Sequence, residues 1–80
     1  MKEVLEIIAK ALVDEPDKVS VTEIVDEDEN GLGNVTLELR VAEDDMGKVI
    51  GKQGRIAKAI RSVVKAASSK DNTRVDVEIV

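Results

Sequence analysis

The chain has 80 residues with seventeen acidic and twelve basic side chains, which gives a formal net charge of −5 at pH 7. It contains no Cys and no His, so disulfides, thiol or imidazole catalysis and zinc sites of the ordinary ligand types are excluded. Eighty residues suit one domain over 1–80, and the start of the chain and its short apolar runs predict neither a signal peptide nor a membrane span, so we expect a cytoplasmic protein.

The first predicted element is an amphipathic helix. Its apolar side chains recur at the spacing of one helix face: Val4, Leu5, Ile8, Ala11 and Leu12. Pro16 disfavours helical geometry at Glu15, so the helix is predicted to end near Asp14.

Two strands joined by an acidic loop are predicted next. The segment Val19 to Val25 is rich in β-branched residues, but its core-facing side is ambiguous because Val21 and Ile24 are both apolar, and a one-residue bulge would reconcile them. The segment Asp26 to Gly33 gathers charges and turn formers and predicts an exposed hairpin loop. The second strand alternates cleanly, with its apolar residues on one side: Val35, Leu37, Leu39 and Val41.

In the second half of the chain, a short helix is predicted from Glu43 to about Ile50, followed by a turn over Gly51 to Gly54. A second helix is predicted from about Arg55 to Ser68, and Asp71-Asn72 breaks it. The last predicted element is a strand over Arg74 to Ile79. The element order is αββααβ. Because a long helical link joins the second and third strands, these can lie parallel. We therefore expect an α+β fold, in which three helices pack on one face of a three-stranded mixed sheet.

A basic segment surrounds the glycine turn. Between Met46 and Lys70 there are seven cations and no acid, which indicates a polyanionic partner for one face: Lys48, Lys52, Arg55, Lys58, Arg61, Lys65 and Lys70. Two glycines without Cβ atoms let a ligand backbone approach closely, and the following helix directs free N–H groups toward it, which suits phosphate. Taken alone, two glycines at this spacing are more often an ordinary helix connector, and most charged helix faces are only solvated surface.

The string V-I-G-K-Q-G-R-I at Val49 to Ile56, set in the αββααβ order, resembles the KH domain in its type II arrangement, and the match covers the whole chain. The longer strings around it are similar to small single-domain bacterial KH proteins. The resemblance implies a cytoplasmic protein that binds single-stranded RNA, with self-association and pairing with a larger KH-containing protein. It also implies that the phosphates contact the turn itself, Gly51, Lys52, Gln53 and Gly54.

The predicted RNA site extends to both sides of this turn. Lys48, Arg55 and Lys58 supply charge near the tip, where Lys52 lies and where Gln53 is a neutral donor. The wall of the adjacent groove is predicted to be apolar and to suit unpaired bases, with three contributors: Val49, Ile50 and Ile56.

Two other ligand motifs fail on inspection. The stretch Gly47 to Gln53 has three residues between its glycines where a P-loop has four, and Gln53 stands where Ser or Thr would hold magnesium. The acidic loop begins like a calcium-binding EF-hand loop at Asp26, but its twelfth position is Leu37 where a bidentate Glu is required. No constellation for catalysis is present, so we expect neither an enzyme nor a cofactor.

Two function classes remain open: an RNA-binding chaperone or post-transcriptional regulator, and a protein-interaction module that uses the fold to dimerise. The helix after the turn carries an apolar stripe whose edge is formed by Ala57, Ile60 and Val64. We expect these edge residues to remain uncovered and to bind a second copy; the alternative is that they complete the core of the monomer.

Overall fold

The computed structural model describes residues 2–27, 33–68 and 74–80. Its helices are α1 (Lys2–Leu12), α2 (Met46–Ile50) and α3 (Arg55–Ser68), and its strands are β1 (Ser20–Glu27), β2 (Gly33–Arg40) and β3 (Arg74–Ile79). Within the described ranges, three short 3-10 turns lie between them: Pro16–Lys18, Glu43–Asp45 and Lys52–Gly54, the last of which is part of the glycine turn that begins at Gly51. This confirms the predicted αββααβ order. Three predicted features lie outside the described residues: the helix break at Asp71-Asn72, the cation Lys70, and the centre of the acidic loop, residues 28–32.

The three strands form one mixed sheet in the order β1-β2-β3. β1 pairs with β2 antiparallel, and β2 pairs with β3 parallel, as the long helical link predicts. α1 packs along β1 and α3 along β3. The apolar residues of helices and strands meet in one core, which comprises Leu5, Ala9, Val21, Leu37, Leu39, Val49, Ile60, Val64, Val75 and Val77. No helix within the described ranges is long and apolar enough to cross a bilayer.

The first strand contains no bulge. Its pairing with β2 runs without interruption from Ser20 opposite Arg40 to Glu27 opposite Gly33. Of its apolar residues, Val21 is buried, whereas Ile24 and Val25 are 44% and 63% exposed. The pattern was ambiguous because Ile24 lies on the opposite face of the strand from Val21, whereas Val25 lies on the same face as Val21 but is not packed against the core.

The placement of the α3 stripe corrects one expectation. Ala57, Ile60 and Val64, predicted to remain uncovered, are 5%, 3% and 0% exposed and lie in the interior of the monomer. The alternative is therefore the correct one, because α3 turns this set of residues toward the sheet. Val63, on the same helix, is 49% exposed. Residues that are already buried in the monomer cannot form a dimer interface without unfolding it.

The difference in burial predicts unequal losses of stability at two positions that lie about one turn apart on α3. Ile60→Ala removes a side chain from the closed core and should lower the free energy of unfolding by about 2–5 kcal/mol. Val63→Ala trims a half-exposed side chain and should cost about 1 kcal/mol or less. Urea unfolding of both variants at low protein concentration measures the difference, and equal losses would contradict the placement of α3.

Candidate nucleic-acid interface

The glycine turn has a backbone that only certain residues tolerate. Gly51 has φ 74° and ψ 176°, Gln53 has φ 58° and ψ 24°, and Gly54 has φ 73°. Two internal hydrogen bonds hold it: the N–H of Gly51 donates to the carbonyl of Gly47 at 2.9 Å, and the N–H of Gly54 donates to the carbonyl of Gly51 at 3.2 Å. Three residues with positive φ in four positions therefore reverse the chain between α2 and α3.

The two glycines have different reasons to be glycine. A Cβ on Gly51 would lie 2.6 Å from Cγ1 of Ile56, because the first turn of α3 folds back against the Gly51 backbone. A Cβ on Gly54 would meet no atom within 4 Å. Gly51 is thus required both by its φ and by the close approach of Ile56, whereas Gly54 is required by its φ alone.

The tip of the turn is open and polar. Lys52 and Gln53 are exposed, and Gln53 occupies the left-handed region at a cost of about 1–2 kcal/mol for a residue that is not glycine. α3 begins at Arg55 immediately after the turn, so its first backbone N–H groups and the positive end of its dipole lie beside this tip. The arrangement can accept a phosphate from a strand that passes over it.

Beyond the turn, α3 presents a different flank on each side of its buried stripe. At about 100° per residue, one flank is basic and the other apolar. The basic flank consists of Lys58, Arg61 and Lys65, and the apolar flank consists of Ile56, Ala59 and Val63. The two flanks face different elements. The basic flank faces β3, where Nε of Arg61 donates to the carbonyl of Val77 at 3.1 Å. The apolar flank lines a cleft together with Ile8 of α1.

The basic flank runs beside a free sheet edge. β3 is an edge strand, and the N–H of Val80 donates to Leu39 of β2. Because backbone groups alternate in direction along a strand, those of Val75, Val77 and Ile79 point away from β2. Arg61 covers one of these outward carbonyls. The basic flank of α3 therefore lies beside backbone donors and acceptors of β3, and we call the surface between them the groove.

Lys48 does not take part in this groove. Its ammonium forms ion pairs with Asp14, after α1, and with Oδ1 of Asp45 at 3.3 Å. Asp45 is 1% exposed and accepts the backbone N–H groups of Asp14 and Glu15 at 3.2 and 3.0 Å. This carboxylate ties the end of α1 to the start of α2, and Lys48 completes its charge balance.

The protonation of this pair follows from its contacts. Burial by itself would raise the pKa of Asp45, but the two backbone N–H donors and Lys48 outweigh burial and hold that pKa below its ordinary value. The hydrogen bond to Asp14 raises the pKa of Lys48 against its desolvation, and Asp45 adds to the effect. Asp45 therefore stabilises the fold above about pH 4, and the contribution is lost as the pH falls through its lower folded pKa.

The structure brings together only part of the predicted site. The turn residues and Lys58 lie on the groove side or at its mouth. Val49, predicted as a groove wall, is fully buried, and that prediction is wrong because α2 turns this side chain into the core. Arg55 and Ile56 line the cleft on the α1 side, and Ile50 is half-buried against the core.

Comparison with known proteins shows which family the chain belongs to. The profile of the KH domain of KhpA and KhpB matches residues 2–79. The chain belongs to the KhpA/KhpB KH-domain family. Proteins called RNA-binding protein KhpA from Clostridium acetobutylicum and Clostridium perfringens are 61% and 60% identical to it, each over 80 residues and the full length of both chains. The protein of that name from Aquifex aeolicus is 49% identical over 79 residues, which are 99% of this chain and 94% of that one.

The KH fold also appears in a structural neighbour. A crystal structure of Era in complex with MgGDPNP and a segment of 16S ribosomal RNA superposes with a TM-score of 0.62 at 20% identity. The match covers 99% of this chain and 30% of that chain. At this identity the neighbour supports the fold alone.

Sequence reasoning missed two residues of the KH domain. Arg61 was counted among the cations but not placed in the site, although its i+3 spacing from Lys58 could have grouped the two on one flank. Asp45 was assigned to the start of a helix. Its partners lie 30 and 31 residues earlier in the chain, so no local pattern points to them.

The contrast between the glycines generates a prediction. Gly51→Ala combines backbone strain with a clash against Ile56 and should destabilise the protein by about 2–5 kcal/mol. Gly54→Ala carries the backbone strain alone, about 1–2 kcal/mol. Thermal unfolding followed by circular dichroism ranks the two, and a Gly54 variant that is less stable than the Gly51 variant would contradict the assigned contact.

Proposed function

We propose that the chain binds single-stranded RNA in the groove between the basic flank of α3 and the free edge of β3, with phosphates at the glycine turn. The observation that carries this is the contact between Arg61 and Val77, which places the cationic flank along the exposed strand edge. The relatives named RNA-binding protein KhpA support the same ligand. The protein acts by binding, in the cytoplasm, as an RNA chaperone or post-transcriptional regulator with no chemistry of its own.

The electrostatics favour RNA at this groove over the rest of the surface. The chain as a whole is acidic, yet the segment from Met46 to Lys70 contains no carboxylate. Phosphates are therefore attracted to the turn and to the basic flank and repelled by the acidic hairpin. Without aromatic side chains on which bases could stack, affinity rests on phosphate contacts and on hydrogen bonds to the strand edge. Binding is consequently modest and sensitive to salt.

The loop assignment predicts the effect of reversing its charge. Lys52→Asp with Gln53→Asp keeps both glycines and places two carboxylates where phosphates pass, so affinity for a single-stranded heptamer should fall at least about a hundredfold. The slope of log affinity against log salt, about −0.7 per neutralised phosphate, should become shallower. Fluorescence anisotropy measures both quantities.

The matched control is Lys10→Asp with Ala11→Asp. It changes the net charge by the same amount at exposed positions of α1, away from the groove. Under the proposal this control retains most of the affinity. A folded loop variant that binds as well as the wild type would refute the proposed site.

A second role is favoured by the apolar surface between α1 and α3. Leu12 and Val63 are 37% and 49% exposed beside a cleft of about 450 Å³. The cleft is lined by Ile8, Leu12, Arg55, Ile56, Ala59, Ile60 and Val63. We infer that this surface pairs the chain with a second copy, and with the larger KH-containing protein KhpB where a cell has one. A symmetric pair would present two glycine turns to one RNA and raise its apparent affinity.

The self-association proposal predicts a position-specific effect. Val63→Asp places a charge on the shared surface and should convert a dimer into a folded monomer in sedimentation velocity runs. Val25→Asp introduces the same charge at an apolar residue on the hairpin that is 63% exposed, and it should leave the dimer intact. A wild type that stays monomeric at millimolar concentration, or a dimer that Val25→Asp breaks and Val63→Asp does not, would end this proposal.

A further inference from the structure

Arg61 is held beside β3 by a hydrogen bond that uses one of the five N–H donors of its guanidinium. Its side chain reaches from α3 to β3, where Nε donates to the carbonyl of Val77 at 3.1 Å. Arg61 is half-buried, and no carboxylate of the described residues forms an ion pair with it. A guanidinium has five N–H donors in a rigid plane. One donates to Val77, and among the described residues the four on the two Nη atoms have no acceptor.

The Val77 contact also fixes the direction of the guanidinium plane. A lysine in the same position would be a mobile point charge, whereas an arginine anchored through Nε holds its remaining N–H groups in a constant orientation. Such a group recognises two adjacent acceptors by parallel hydrogen bonds.

Given the proposed function, on which this inference rests, we propose that Arg61 selects bases that present two adjacent hydrogen-bond acceptors. Guanine offers such a pair in O6 and N7, and cytosine offers one in O2 and N3. Adenine and uracil alternate acceptors with N–H donors and would leave one Arg61 donor facing another donor. Phosphates at the glycine turn then set the position of the strand, and Arg61 reads the base that reaches the β3 edge.

The test compares heptauridine with heptamers that carry one central guanine, cytosine or adenine, by fluorescence anisotropy. The wild type should bind the guanine or the cytosine heptamer at least about fivefold more tightly than heptauridine, and the adenine heptamer no more tightly. Arg61→Lys keeps the charge and should bring these ratios close to one. Lys58→Gln, on the same flank, should weaken binding to all four heptamers equally and preserve the ratios.

A second measurement needs no protein variant. Replacing the central guanine by 7-deazaguanine, or the central cytosine by 3-deazacytosine, removes one acceptor of the pair and should abolish the preference of the wild type. Equal binding of all four heptamers overturns the role of Arg61 while leaving RNA binding intact. Ratios that survive Arg61→Lys, or insensitivity to the deaza bases, also overturn it. Failure to bind any heptamer overturns the proposed function together with this inference.

Discussion

The rotational setting of α3 on the sheet determines every surface that this protein offers to a ligand. Ala57, Ile60 and Val64 are the residues that turn inward, and helical geometry then fixes the direction of all the others on α3. The basic flank is consequently directed to the free edge of β3 and the apolar flank to α1. A rotation of about 100° would bury the cations and expose the core. Packing energy in the interior therefore sets the geometry of a polar groove on the outside.

The glycine turn depends on the same helix. Ile56, in the first turn of α3, lies so close to Gly51 that a single methyl group there would collide with it. The contact couples the position of the exposed tip to the packing of α3. The left-handed conformation of Gln53 adds strain of the kind often found in ligand-binding turns. A preorganised turn binds phosphate with less loss of conformational entropy than a flexible loop would.

The sequence was sufficient for the elements whose periodicity is clean. β2, α3 and β3 were predicted with their observed bounds or nearly so, and the parallel pairing followed from the helical link. The side of β1 that faces the core could not be predicted, because apolar residues lie on both of its faces and only Val21 among them is buried. The helical periodicity of α3 defined an apolar stripe but did not determine which residues of the stripe face the sheet. That depends on residues of β2 and β3 far away in sequence. For the same reason the burial of Val49 and the capture of Lys48 by Asp45 were not foreseen.

In the proposed arrangement, RNA lies on the β3 side of α3 and a protein partner on the α1 side. A titration of ¹⁵N-labelled protein with a single-stranded heptamer, followed by two-dimensional NMR, shows on which side the RNA binds. We expect shifts in the backbone amides of Lys52, Gln53, Gly54 and Val77, with those of Ile8 and Leu12 in α1 unchanged. Shifts concentrated in α1 and on the apolar flank of α3, with the turn and β3 silent, would contradict it.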